Sequence, residues 1–193
     1  MFNELNHQNE EKTGAYKRKP QKKITPQRLK NIALYYLKRF ESSVENLRQV
    51  LQKRINAYAK ENPDFDKHQA YEWTEQILAD FERLHYLDDR RFAEIKISAY
   101  LSAGKPERYI KPKLKQKGIS EQIIEEILQE QEYDVFQMAL KLAKKKKIGP
   151  YRQKETRREF YQKDMGALIR AGFDYDVACD VLKYEIEDEE ATF

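Results

Sequence analysis

The chain has 193 residues, 36% of them charged and 40% apolar, with six glycines, six prolines, one cysteine and a formal net charge of +4. A lone cysteine, Cys179, excludes an internal disulfide framework and a thiolate metal cluster, and no apolar run approaches the length a membrane helix needs. Such high charge over a thin apolar content suits an elongated, surface-rich helical protein better than a compact enzyme with a deep core.

Residues 1–24 are polar and aperiodic, and read as a disordered basic tail with Lys12, Lys17, Arg18, Lys19, Lys22 and Lys23. Thr25-Pro26 opens the first helix, a hydroxyl at the N-cap and a proline where its missing N–H costs nothing. Leu29, Ile32, Ala33, Tyr36, Leu37 and Phe40 then recur at three- and four-residue steps. Ser42 with Glu45 reads as a capping box for a second helix reaching about Tyr58, and Asn62-Pro63-Asp64 breaks it. A third helix is predicted from about Lys67 to Leu84, with Trp73, Ile77, Leu78 and Phe81 inward, completing a unit over 25–87.

The second unit, 88–132, opens on Asp88 as N-cap, with Asp89 beside the positive end of the helix dipole. Its first helix ends near Gly104. Pro106 starts a short basic helix that Pro112 is expected to kink. Gly118 can close that helix in the left-handed conformation, and Ser120 caps the next, from Glu121 to Gln131. The third unit, 133–184, repeats the plan. Asp134 leads a helix closed at Gly149-Pro150, a longer helix runs to about Ala171, and Gly172 with Asp174 introduces the last. An acidic tail, 185–193, follows.

One phrase recurs through these units. Leu114-Lys115-Gln116-Lys117-Gly118-Ile119-Ser120 precedes Ile123, Ile124, Ile127 and Leu128, while Leu168-Ile169-Arg170-Ala171-Gly172-Phe173-Asp174 precedes Val177, Ala178, Val181 and Leu182 at the same offsets. Leu51-Gln52-Lys53-Arg54-Ile55 is a degenerate earlier copy with isoleucine at the hinge. No segment alternates with period two. The expected fold class is all-α, an elongated array of three tandem three-helix repeats, and such arrays present long surfaces to polymers or filaments.

Catalytic chemistry finds little purchase. His7, His68 and His85 are isolated, glycine-rich phosphate loops are missing, and helix capping accounts for Asp88-Asp89. No enzyme activity, metal or cofactor is expected. The turn at Lys117-Gly118-Ile119-Ser120 resembles that of a helix-turn-helix reader, yet the helix after it carries Glu121, Glu125, Glu126 and Glu130. Acid there repels phosphate and disfavours base reading. Basic charge gathers instead on earlier helices, at Lys111, Lys113, Lys115 and Lys117 and then Lys141, Lys144 to Lys147, Arg152, Lys154, Arg157 and Arg158. That pattern fits sequence-indifferent contact with a DNA backbone, or docking on an acidic protein groove.

Tyr86-Leu87-Asp88-Asp89-Arg90-Arg91-Phe92-Ala93, then Gly104-Lys105-Pro106-Glu107-Arg108-Tyr109-Ile110, then Lys117-Gly118-Ile119-Ser120 resemble the RecX family of bacterial recombination regulators. Ala33-Leu34-Tyr35-Tyr36-Leu37-Lys38-Arg39-Phe40 and Arg170-Ala171-Gly172-Phe173 resemble its opening and closing units, so the likeness runs from about Thr25 to Tyr184. The resemblance implies three tandem three-helix repeats and a cytoplasmic modulator of the RecA recombinase, lying in the groove of the RecA–DNA filament and usually repressing its ATPase, strand-exchange and coprotease activities. A monomer without a membrane partner is expected. Candidate partner or DNA contacts are Arg90, Arg91, Arg108, Lys111, Lys144, Lys145, Arg157 and Arg158, and DNA contact at the 144–147 lysines is read from the residues alone. The alternative is a stand-alone, sequence-indifferent DNA-binding repeat protein with no recombinase partner.

Overall fold

The computed structural model describes residues 22–186, so both expected tails lie almost wholly outside the described residues. Within them the chain forms nine α-helices and two 3-10 turns and no strand, as the missing period-two pattern predicts.

The first unit comprises α1 (Pro26–Leu37), α2 (Val44–Glu61) and α3 (Lys67–Arg83). Thr25 caps α1, its Oγ1 accepting from the Arg28 N–H at 3.2 Å. Leu29, Ala33, Leu47, Leu51, Ile55, Leu78 and Phe81 close the first core. Ile24 is buried in it too, which ties the chain down one residue ahead of the cap. The N-cap falls one residue later than expected. Ser43, not Ser42, caps α2, its Oγ accepting from the Asn46 N–H at 3.1 Å. Ser42 is buried and accepts from the Asn46 side-chain amide at 2.9 Å instead. Nor does Leu51 to Ile55 form a hinge. With a buried isoleucine where the later copies carry glycine, nothing stops the helix, and α2 runs on for 18 residues.

The second unit holds α4 (Asp89–Ser102), α5 (Glu107–Lys115) and α6 (Glu121–Gln129) around Phe92, Ala93, Ile97, Ile110, Leu114, Ile124 and Ile127. Asp88 caps α4, accepting from the Arg91 N–H at 2.9 Å. Pro112 sits inside α5 without ending it; the exposed ring costs one backbone hydrogen bond and leaves the element whole. Gly118 closes the turn at φ +81°, and Ser120 caps α6.

The third unit contains α7 (Val135–Lys146), α8 (Arg157–Ala171) and α9 (Tyr175–Lys183) around Met138, Ala139, Ala143, Leu168, Phe173, Ala178 and Val181. Asp134 caps α7, whose end is set by Lys147 in the left-handed region at φ 53° and not by Gly149, which lies in the following 3-10 turn. Asp174 occupies the N-cap of α9, yet its side chain makes no capping bond.

Helix packing is concentrated within each unit, and narrow joints link the units. Each joint seats the N-terminus of one unit's second helix on the glycine turn of the next. At the first joint the Val44 N–H donates to Asp89 Oδ1 at 2.9 Å, so Asp88 and Asp89 cap helices in different units. Ser43 Oγ donates to the Lys117 carbonyl at 2.7 Å, and Lys117 Nζ to Asn46 Oδ1 at 2.6 Å. A Cβ on Gly118 would overlap the Glu45 side chain. At the second joint a Cβ on Gly172 would lie 3.2 Å from Pro106 Cγ and 3.3 Å from the Tyr109 nitrogen.

Candidate nucleic-acid interface

The structure gives most of the eight candidate cations partners within the chain. Arg90 reaches Glu126 at 2.8 Å, Glu130 at 2.9 Å and Glu94 at 3.2 Å, and its bond to Glu126 foremost, with the Glu130 charge, raises its pKa. Arg91 pairs with Glu41 at 2.8 Å across the first joint. Arg108 faces Asp174 at 3.4 Å across the second. Lys111 lies 3.0 Å from Glu107 and 3.8 Å from Glu125, and its hydrogen bond to Glu107 lifts the ammonium pKa. The acid of α6 therefore pairs, within the unit, with Arg90 of α4 and with Lys111 and Lys115 of α5. This gives the acidic third helix a physical reason that base reading does not.

Arg157 is structural as well. It donates to the Pro150 carbonyl at 2.6 Å and the Arg152 carbonyl at 3.1 Å, holding the loop between α7 and α8. Lys144 leans over the Tyr151 ring, 5.9 Å from its centroid, and is exposed. Lys145 and Arg158 are exposed and have no hydrogen bond or ion pair among the described residues. Of the eight, Arg90, Arg91, Arg108, Lys111 and Arg157 thus have ion-pair or hydrogen-bond partners within the chain, and Lys144, Lys145 and Arg158 have none among the described residues.

A cationic cleft does form, partly from other residues. Between the end of α4 and the flank of α7 lies a cleft of about 270 Å³, lined by Gly104, Lys105, Met138, Lys141, Lys145 and Ala171 among others, with no carboxylate in its wall. Gly104, at φ +70°, ends α4 and turns Lys105 towards it. Lys141 and Lys145 stand one turn apart on α7, on the same helical face. Lys105 Nζ sits 5.0 Å from the Tyr109 ring centroid. Lys144, Lys146 and Lys147 add exposed positive charge at the end of α7, where the helix dipole favours it. Three ammonium groups around a cleft that offers them no counter-charge are suited to phosphate. Sequence reasoning placed Lys141 among the basic residues but missed its meeting with Lys105, because 36 residues separate the two and no local pattern reports the distance. The available signal was the Lys141–Lys145 spacing.

Arg152, counted in the same basic block, is spent internally. Its Nε and Nη2 grip Asp164 at 2.9 and 2.7 Å, and the Gly149 N–H adds a third bond at 2.9 Å. Burial pushes the Asp164 carboxyl up, but the guanidinium and the amide outweigh it and hold the group below the usual carboxylate range. Among the described residues no cluster of His, Cys, Asp or Glu could hold a metal ion, and no helix is long and apolar enough to cross a membrane.

Comparison with known proteins gives this geometry a context. Residues 88–128 match the family model described as RecX, second three-helix domain. The regulatory protein RecX of Myxococcus xanthus (strain DK1622) is 32% identical over 164 residues, which is 83% of this chain and 87% of that protein. The RecX of Vibrio parahaemolyticus serotype O3:K6 (strain RIMD 2210633) is 34% identical over 104 residues, 54% of this chain and 65% of its own length. In fold the chain resembles the crystal structure of RecX from Lactobacillus salivarius, with a TM-score of 0.61 at 20% identity, over 82% of this chain and 94% of that one. With a relative matched along most of both sequences, the chain belongs to the RecX family of regulatory proteins.

Proposed function

We propose that this chain binds the filament that the RecA recombinase forms on DNA and restrains its ATPase, strand-exchange and coprotease activities, working in the cytoplasm as a regulator and not as a catalyst. The relatives' name, regulatory protein RecX, supports the regulatory part. One observation supports the DNA part: Lys105, Lys141 and Lys145 line a cleft between the second and third units that contains no acid. A row of small helical units can follow a filament groove while ammonium groups rest on phosphate.

The test is a titration of RecA's DNA-stimulated ATPase with the parent and with the variant Lys105→Glu, Lys141→Glu, Lys145→Glu. None of the three makes an ion pair or hydrogen bond among the described residues, and only the approach of Lys105 to the Tyr109 ring is given up, so the variant is expected to fold as the parent does, which its unfolding midpoint checks. Arg157 is left alone, because changing it would release the loop at Pro150. The variant is expected to need at least about ten times more protein for half inhibition. The slope of log affinity for duplex DNA against log salt should fall by about 2 to 3, near 0.9 per lost phosphate contact. Equal potency of parent and variant would remove the cleft from the mechanism. Loss of DNA binding by the variant, with a parent that leaves the ATPase untouched, would instead support the stand-alone DNA-binding reading.

A further inference from the structure

The first unit carries a second cationic groove, far along the chain from the lysine cleft. It has about 520 Å³ of open space, within the range of small-ligand clefts at roughly 300–1,000 Å³. Its described wall comprises Arg28, Arg54, Asn31, Gln27, Tyr35 and Thr25 together with Ile32, and no carboxylate.

We propose that this groove is a binding site for single-stranded nucleic acid, with Arg28 and Arg54 on a phosphodiester and Tyr35 stacking on the adjacent unpaired base. Three observations carry it. Arg28 Nε is buried and has no hydrogen-bond partner among the described residues. Buried N–H donors are nearly always satisfied, so a groove-lining guanidinium with one donor unused keeps hydrogen-bonding capacity that a turn of the side chain would present to an acceptor in the groove. Arg54 is exposed and has neither ion pair nor hydrogen bond among the described residues, whereas the neighbouring Arg48 is held by Glu75 at 2.9 Å and by Glu45. Two unpaired guanidinium groups converging on one groove match the fork geometry of phosphate recognition. Finally, Tyr35 is 60% exposed, with the Arg39 guanidinium 4.3 Å from its ring centroid.

The aromatic ring selects the ligand. An acidic peptide would satisfy the arginines and leave Tyr35 unused, and duplex bases are already stacked and face inward. An unpaired nucleotide uses both, since every base offers a π-face. The Gln27 side-chain amide donates to Asn31 Oδ1 at 2.9 Å, which leaves the Asn31 amide N–H groups free to donate to the same ligand. The site requires no recombinase, so its success or failure is separate from that of the lysine cleft.

The experiment is fluorescence anisotropy with a short labelled oligothymidylate and no RecA present. For Arg28→Gln with Arg54→Gln, the Kd is expected to rise at least about ten-fold and the log–log salt slope to fall by about 1.4, near 0.7 per single-strand phosphate contact. Tyr35→Ala should weaken binding roughly 5- to 150-fold, the range for one stacked base, while Tyr35→Phe binds like the parent. Unfolding midpoints are recorded for each variant. Should Arg28→Gln lower stability, Arg54→Gln and Tyr35→Ala, both at exposed positions, carry the test. Parent-like affinity in Arg54→Gln and Tyr35→Ala overturns the proposal. So does competition by oligoglutamate as effective as that by unlabelled oligothymidylate, which would make the groove a general anion or acidic-peptide site. The Lys105, Lys141, Lys145 variant is expected to keep the Tyr35 effect in full.

Discussion

Asp164 is the charged side chain among the described residues that is most completely removed from water, 2% exposed, and what surrounds it shows how the third unit is closed. Its two oxygens take three hydrogen bonds, from Arg152 Nε and Nη2 and from the Gly149 N–H. Arg152 in turn stacks on Phe160, with its guanidinium carbon 4.4 Å from the ring centroid. A buried charge pair adds little net stability against an apolar pair, but removing one partner leaves the other charge stranded. Asp164→Asn is therefore expected to cost about 3 kcal/mol, read from urea denaturation at neutral pH. The sign of the pH dependence follows from the lowered carboxyl. The folded chain holds its proton less tightly than the unfolded chain, whose value is about 3.9. The stabilisation is thus complete above that value and is lost as pH falls through the folded value. The gap between parent and Asp164→Asn should be the same at pH 7 and pH 6 and should shrink below about pH 4. A gap that widens in acid would contradict the assignment.

At the scale of the element, the repeated joint turns on glycine. Gly104 and Gly118 both lie in the left-handed region, at φ +70° and +81°, but a Cβ at Gly104 meets open space whereas one at Gly118 overlaps Glu45. Gly104→Ala should cost only the backbone strain, about 1 kcal/mol, and Gly118→Ala about 3 kcal/mol, compared by thermal unfolding. Equal costs would mean that the turn does not bear on α2. Much of this architecture was legible in the chain. Thr25, Asp88, Ser120 and Asp134 announce helix starts because a cap is a local bond, three residues in span, and the i, i+3, i+4 apolar stripes mark the cores. What was not legible is long-range. Asp89 reads as charge for the dipole of its own helix, whose first turn it does occupy, and only the tertiary fold reveals that it also caps α2. Ser42 and Ser43 are equivalent as sequence, and Ser43 becomes the cap where it also reaches Lys117. The counter-ions of the candidate contacts were only partly legible, since a positive side chain in a sequence carries no record of a distant partner. Arg90 and Arg91 find partners 36 and 50 residues away, at Glu126 and Glu41, whereas the nearer partner of Lys111, Glu107, stands at the legible i, i+4 spacing.

Across the whole molecule the two joints share a plan and differ in strength. The first is bound by Asp89 to the α2 N-terminus, by Ser43 to Lys117, by Lys117 to Asn46 and by Arg91 to Glu41. At the second, the residue after the Asp134 cap is Val135, which offers no acceptor to the N-terminus of α5. Its one inter-unit ion pair, Arg108 with Asp174, is exposed on both sides, where such a pair contributes about 0–1 kcal/mol. A hydrogen bond from the part-buried Tyr133 hydroxyl to Glu107 on α5, and apolar contact through Leu101 and Tyr133, shared by the second and third cores, supply the rest. The second joint should therefore sample a wider range of angles than the first, and the Lys105, Lys141, Lys145 cleft spans it. Spin labels on cysteines introduced at the exposed Glu72, Ser98 and Gln162, one per unit and taken in pairs after Cys179→Ala, would measure this. The Ser98–Gln162 distance distribution is expected to be broader than that of Glu72–Ser98, and Asp89→Ala should broaden the latter alone. Equal widths in the parent would show that hydrogen bonding does not set the stiffness of the joints. A narrowing of Ser98–Gln162 when DNA is added would show that phosphate in the cleft draws the second and third units together.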